Sequence, residues 1–116
     1  MRILITGGAG FIGSNLARLL VSKGHDVVVL DSLLRGNKLD KDTFSKIKFF
    51  KGDVRSRQLV LEASKGCDVI FHLAAVLGVD IVADNPVETM VVAVVGTRNV
   101  VEASETHNVK YILYAS

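Results

Sequence analysis

Thr6-Gly7-Gly8-Ala9-Gly10-Phe11-Ile12-Gly13 separates two apolar segments of different period. Before it, Ile3, Leu4 and Ile5 stand in a row between Arg2 and Thr6. A continuous run of this kind suits a strand buried on both faces of a parallel sheet. After it, Ile12, Leu16, Leu19 and Leu20 recur at the spacing of one helix face. The stretch holds G-x-x-G-x-x-G counted from Gly7 and G-x-G-x-x-G counted from Gly8. Its first glycines permit a tight turn out of the strand. Gly10 lets a phosphate approach the backbone without meeting a Cβ, and Gly13 lets the helix lie close to the sheet. The helix then turns its unpaired N–H groups and positive dipole end toward the phosphates. The pattern predicts a strand–turn–helix unit that cradles a pyrophosphate. A tight turn with no ligand is the competing reading, and the acid downstream weighs against it.

The alternation continues outward from this unit. Gly24 is placed just past the end of the first helix. Val27 to Leu30 predict a second buried strand, closed by Asp31. Ser32 to Lys46 are polar and predict a loop with a short helical piece. Ile47 to Phe50 predict a third strand ahead of Gly52-Asp53. Ser56 is set to cap a helix carrying Leu59 and Ala63, which Gly66 stops. Val69, Ile70 and Phe71 predict a fourth strand running into His72-Leu73-Ala74-Ala75.

From Pro86 onward, propensity and capping disagree. The β-branched run from Met90 to Val95 favours a strand. Asn85-Pro86 followed by Glu88 is a helix start, and Val87, Val91, Val94 and Val95 keep helical spacing. The segment runs to about Thr106, too long for a typical strand, so a helix is expected. Lys110 to Tyr114 predict a fifth strand. The order predicts one α/β domain over residues 1–116, a doubly wound parallel sheet of the Rossmann type, truncated after its fifth strand. Such sheets bind ligands at the carboxyl ends of their strands, where strand order reverses.

Composition narrows the function classes. Hydrophobic residues make up 49% of the 116 residues, and Pro86 is the only proline, which argues against disorder. The net charge is +2, from 14 basic and 12 acidic residues scattered along the chain, so no nucleic-acid partner is expected. No apolar run approaches the roughly 20 residues of a membrane span, and no membrane partner is expected. No targeting segment is read at the N-terminus, which Gly7 to Gly13 interrupt. A single cysteine, Cys67, fits a reducing cytoplasm and reads as an inert small hydrophobe.

Several residues beyond the glycines could carry chemistry. Asp31 lies about 20 residues past the turn, where a carboxylate can take the adenosine ribose hydroxyls, and it should favour NAD over a 2′-phosphorylated cofactor. Arg35 nearby is a possible counter-charge. Asp53 is placed to accept from an adenine amino group, although an ordinary turn aspartate fits it equally well. Small residues after the fourth strand leave room for a nicotinamide ribose. His72 reads as a packed or hydrogen-bonded histidine with no partner in the sequence to orient it. It has no ligand-spaced companion, so no metal is expected. Tyr111 and Tyr114 lie on a strand without a lysine four positions on, so no catalytic pair is expected there.

Taken together, these residues resemble the N-terminal part of the extended short-chain dehydrogenase/reductases, in particular the nucleotide-sugar epimerases and dehydratases of the UDP-glucose 4-epimerase type. The resemblance rests on TGGAGFIG at Thr6–Gly13, Asp31, GDVR at Gly52–Arg55, HLAA at His72–Ala75, NP at Asn85-Pro86 and VGTRNV at Val95–Val100. It implies that Gly7, Gly10 and Gly13 line a pyrophosphate with the backbone N–H groups of Phe11 and Ile12. Asp31 would hold the adenosine ribose, and Asp53 and Val54 the adenine. Leu73, Ala74 and Ala75 would border the nicotinamide. The implied reaction is transient hydride transfer between a nucleotide sugar and NAD, in a homo-oligomer, with a Y-x-x-x-K pair and a Ser or Thr as acid–base groups.

The chain departs from that pattern at Ala93, where an Asn is usual. The Y-x-x-x-K pair and a sugar-binding region are not among the 116 residues, and the catalytic Ser or Thr is placed just beyond Ser116. The expectation is the NAD-binding portion of an epimerase or dehydratase, inactive by itself. The alternatives are a stand-alone dinucleotide-binding regulatory module and an assembly fragment completed by another chain.

Overall fold

A computed structural model describes residues 1–74, 84 and 86–115, and among the described residues the apolar runs and glycine punctuation become five strands and the four helices named below. The strands are β1 (Arg2–Thr6), β2 (Asp26–Asp31), β3 (Lys48–Lys51), β4 (Val69–His72) and β5 (Tyr111–Tyr114). The helices are α1 (Phe11–Ser22), α2 (Lys41–Ser45), α3 (Arg57–Ser64) and α4 (Pro86–Thr106). All strands pair in parallel, in the order β3-β2-β1-β4-β5. β1 therefore lies between β2 and β4, and strand order reverses there.

Side-chain alternation shows the double winding. Ile3, Ile5, Val27 and Val29 pack with Ala17, Leu16 and Leu20 of α1 on one face. Leu4, Val28, Leu30 and Ile70 pack with Val60 and Ala63 of α3, and with Val92, Val100 and Ala103 of α4, on the other. Two buried faces explain why β1 and β2 read as unbroken apolar runs. Among the described residues, no helix is long and apolar enough to cross a membrane.

Local signals set the helix ends. Ser56 accepts from the Leu59 N–H and starts α3, while Asp40 accepts from the Thr43 N–H and starts α2. Gly24 and Gly66 take φ of +84° and +76° after α1 and α3, where a side chain would be strained.

Two helices turn differently from expectation. In α1, Ile12 and Leu19 face solvent, and Gly13 and Ala17 are buried instead. Small residues face the sheet because the helix leaves its turn too close to the strands for larger ones. In α4, Val87 and Val94 are exposed, and the buried face runs through Val92, Gly96, Asn99, Val100, Ala103 and Ser104. Gly96 explains that rotation: a Cβ there would stand 2.5 Å from Val54 Cγ2. Tyr111 and Tyr114 are both exposed, as are the other residues of β5.

Candidate functional site at the strand switch point

A cavity of about 660 Å³ opens at the carboxyl ends of β1, β2 and β4. Its wall has three parts: the Gly-rich turn, the ends of β2 and β3 with the loops that follow them, and the Leu73-Ala74 segment with one side of α4. The parallel registers Thr6↔Leu30 and Thr6↔His72 bring these ends level.

The turn itself is dense. The Gly7 N–H donates to the Leu30 carbonyl, and the Gly10 N–H to the Gly7 carbonyl. Gly7 has φ +74°, and a Cβ there would meet the Ala74 backbone N at 2.9 Å. Gly8 would meet Val29 Cγ1 at 2.6 Å, and Gly13 would meet the Gly7 carbonyl oxygen at 2.4 Å. Packing within the fold thus requires these three glycines. Gly10 differs, because its Cβ would meet nothing nearer than the Gly7 oxygen at 3.4 Å. That position is glycine although the protein leaves room for a side chain, and it lies on the cavity wall.

Gly10 also begins α1. It supplies no side-chain cap, and the first main-chain helix bond runs from the Ser14 N–H to the Gly10 carbonyl. The N–H groups of Phe11, Ile12 and Gly13 precede that bond and have no partner within the helix. Phe11 and Gly10 line the cavity, whereas Ile12 and Gly13 do not. The Phe11 and Ile12 side chains are exposed.

Asp31, half-buried on the wall, accepts from the Ala9 N–H at 2.9 Å and from the Leu33 N–H at 2.7 Å. It therefore braces two loops, and each oxygen keeps a second lone pair for a ligand. In the segment after it, read by sequence as a loop with a short helical piece in which Arg35 was a possible counter-charge, Ser32, Leu34, Arg35, Gly36 and Lys38 line the cavity. The Lys38 N–H donates to the Ala9 carbonyl at 2.8 Å and pins that loop over the Gly-rich turn.

Asp53 and Val54 form the opposite wall. Asp53 Oδ2 accepts from Arg55 Nε at 3.0 Å and Nη2 at 2.7 Å, and Oδ1 accepts from the Arg55 N–H at 2.8 Å. Arg55 Nη1 also pairs with Glu88 of α4. Burial opposes charge on Asp53, but the Arg55 hydrogen bonds outweigh it and hold the carboxyl below its ordinary range. The same bonds, with Asp53 first and Glu88 second, push the Arg55 guanidinium up. Sequence reasoning missed this cluster because Glu88 arrives from across the chain. The GDVR motif was the only local hint.

His72 is packed and hydrogen-bonded as expected, and the fold supplies the orienting partners that the sequence did not show. Thr6 Oγ1 accepts from the Leu73 and Ala74 N–H groups, both at 3.1 Å. Its hydroxyl proton then goes to His72 Nδ1 at 2.7 Å, leaving Nε2–H to donate to Thr97 Oγ1 at 3.3 Å. Burial alone pushes the imidazole pKa down, in keeping with a neutral ring. The histidine is thus a packed structural group that braces Leu73-Ala74, both of which line the cavity. Ala75 lies outside the described residues. Among the described residues, no three His, Cys, Asp or Glu side chains gather as a metal site would need.

Residues 3–116 match the family described as the NAD dependent epimerase/dehydratase family. The chain is 40% identical over 120 residues to a UDP-glucose 4-epimerase from Mycolicibacterium smegmatis, covering 100% of this chain and 38% of that protein. It is 37% identical over 116 residues to a UDP-N-acetyl-alpha-D-glucosaminuronate decarboxylase from Bacillus cytotoxicus, covering 99% and 36%. Its fold superposes on the crystal structure of a Thermus thermophilus UDP-glucose 4-epimerase in complex with NAD. The TM-score there is 0.87 at 34% identity, over 100% of this chain and 37% of that one. The chain thus spans little more than a third of the length of the relatives it matches.

Proposed function

The chain belongs to the NAD dependent epimerase/dehydratase family, and we propose that its switch-point cavity is the NAD site of such an enzyme. The observation that carries this reading is Gly10. Gly7, Gly8 and Gly13 are glycines because the fold has no room for a Cβ, whereas Gly10 is a glycine where only the cavity lies. A pyrophosphate there would meet the N–H groups of Phe11, Ile12 and Gly13 and the positive end of α1.

The remaining roles follow along the wall. Asp31 takes the adenosine ribose hydroxyls, Asp53 and Val54 hold adenine, and Leu73 and Ala74, continued by Ala75, border the nicotinamide. When bound, NAD accepts and returns a hydride. The residues described here bind and orient it, while the acid–base groups and the nucleotide sugar belong to the rest of a longer enzyme. In that enzyme the reaction would be transient hydride transfer between a nucleotide sugar and the cofactor.

Calorimetric titration tests the reading. NAD should bind the protein, and Gly10→Val should abolish binding while costing at most the roughly 1 kcal/mol of a poorer helix N-cap, so that the variant stays folded. NADP should bind more weakly by one to two decades, because Asp31 faces its 2′-phosphate. Like charges about 4 Å apart at an effective dielectric near 20 repel by up to about 4 kcal/mol before screening. Equal NAD binding by Gly10→Val would reject the site, and tighter NADP binding would reject the role of Asp31.

A further inference from the structure

Asn99 lies on the buried face of α4, 1% exposed, and forms no part of the cavity wall. Its Nδ2 donates to the Val54 carbonyl at 2.8 Å. Its Oδ1 is buried and has no hydrogen-bond partner among the described residues. An unpaired buried amide oxygen is costly, so the side chain is retained for what its NH₂ group does.

The group it holds is one side of a single peptide. The carbonyl of the Val54–Arg55 peptide points to Asn99, and the N–H of the same peptide donates to Asp53 Oδ1 at 2.8 Å. A peptide unit is planar, so fixing its oxygen fixes the direction of its N–H. We propose that Asn99 is a positioning residue for the adenine end of the cavity: by holding the Val54 carbonyl, it fixes the one peptide plane whose N–H aims the Asp53 carboxylate.

Two further contacts from α4 act on the same turn. Gly96 lets the helix approach Val54 closely enough for the amide to reach, and Glu88 holds the Arg55 guanidinium that grips Asp53 Oδ2. One helix thereby sets both oxygens of Asp53. Asn99 governs Oδ1 through the peptide, and Glu88 governs Oδ2 through the guanidinium. The consequence for the cofactor rests on the NAD reading, whereas the coupling of Asn99 to Asp53 rests on the hydrogen bonds alone.

The test reads the Asp53 carboxyl by NMR titration in the ligand-free protein, and ADP-ribose affinity by calorimetry. Arg55 and Glu88 are the charged partners of this cluster, and both stay in place in the variants. Asn99→Leu keeps the bulk and removes the donor. The peptide is then free to rock, Asp53 loses the Arg55 N–H, and its carboxyl titrates at a higher pH than in the wild type. ADP-ribose affinity should drop roughly three- to tenfold, the size of one hydrogen bond lost or misaimed. A folded Asn99→Leu protein with a lowered thermal midpoint but an unmoved Asp53 titration would overturn the proposal, since a merely structural asparagine predicts that.

If Asn99→Leu does not fold, Asn99→Asp decides. The introduced carboxyl donates to the Val54 oxygen while protonated and repels it once ionised. ADP-ribose affinity should therefore fall as pH rises in this variant, in excess of any wild-type change, with Asp53 perturbed in step. An affinity and an Asp53 titration matching the wild type would overturn the proposal. Failure of the wild type to bind ADP-ribose would reject the NAD reading, and the Asp53 titration would still decide the role of Asn99.

Discussion

His72 shows how one buried side chain can tie stability to pH. Thr6 spends its oxygen on the Leu73 and Ala74 N–H groups and its proton on His72 Nδ1. A protonated ring would present N–H at Nδ1 and leave the Thr6 hydroxyl with no acceptor there. The folded protein therefore binds this proton less readily than the unfolded chain, whose histidine titrates near 6.5. Stability from this group is whole above that value and is lost as pH falls below it toward the lowered folded value. The thermal midpoint should fall between neutral and mildly acidic pH, and His72→Gln should flatten part of that fall. An identical pH dependence in the variant would remove His72 from the account, since His25 and His107 remain in both proteins.

At the scale of elements, α4 carries the most information. Gly96 faces Val54 at a distance that no Cβ tolerates. Alanine would gain about 1 kcal/mol of helix propensity at a mid-helix glycine. Overpacking a tight contact costs about 1–3 kcal/mol, so the clash wins. Gly96→Ala should therefore lower stability in denaturant unfolding and weaken NAD binding, because Val54 must move. A more stable variant with unchanged affinity would contradict the close seating of α4.

Most of these elements were legible in advance because their signals are local. The Pro86 and Glu88 start of α4, the Ser56 cap and the glycines after α1 and α3 act within one turn of chain. β1 and β2 follow from apolar runs that need two covered faces. The Gly-rich turn was legible for the same reason. The missing parts depend on partners far along the chain. Asn99 finds Val54, Glu88 finds Arg55, and His72 finds Thr6 and Thr97 only after the sheet has brought them together. The buried face of α4 was not legible from its valines, because close packing on the β3–α3 turn selects Gly96 and Asn99.

Across the whole molecule, the sheet is unevenly covered. β1 and β2 are sealed on both faces, while β5 exposes Tyr111 and Leu113 at 67% and 47% and α4 exposes Met90 and Val94 at 67% and 64%. Apolar surface of this extent next to an edge strand favours association. Sedimentation velocity over a range of concentrations should show self-association of the 116-residue chain. A single monomer boundary at the highest concentration would contradict this.

The cavity at the carboxyl edge of the sheet is the cofactor site we propose, and amide shift mapping by NMR tests that most directly. On addition of NAD, the amides of Phe11, Ile12 and Gly13 should move most, with Val54 on one flank and Leu73 and Ala74 on the other. Gly10→Val should erase the pattern. Shifts confined to β5 or the exposed side of α4, or a pattern unchanged by Gly10→Val, would contradict a cofactor seated on the N-terminus of α1.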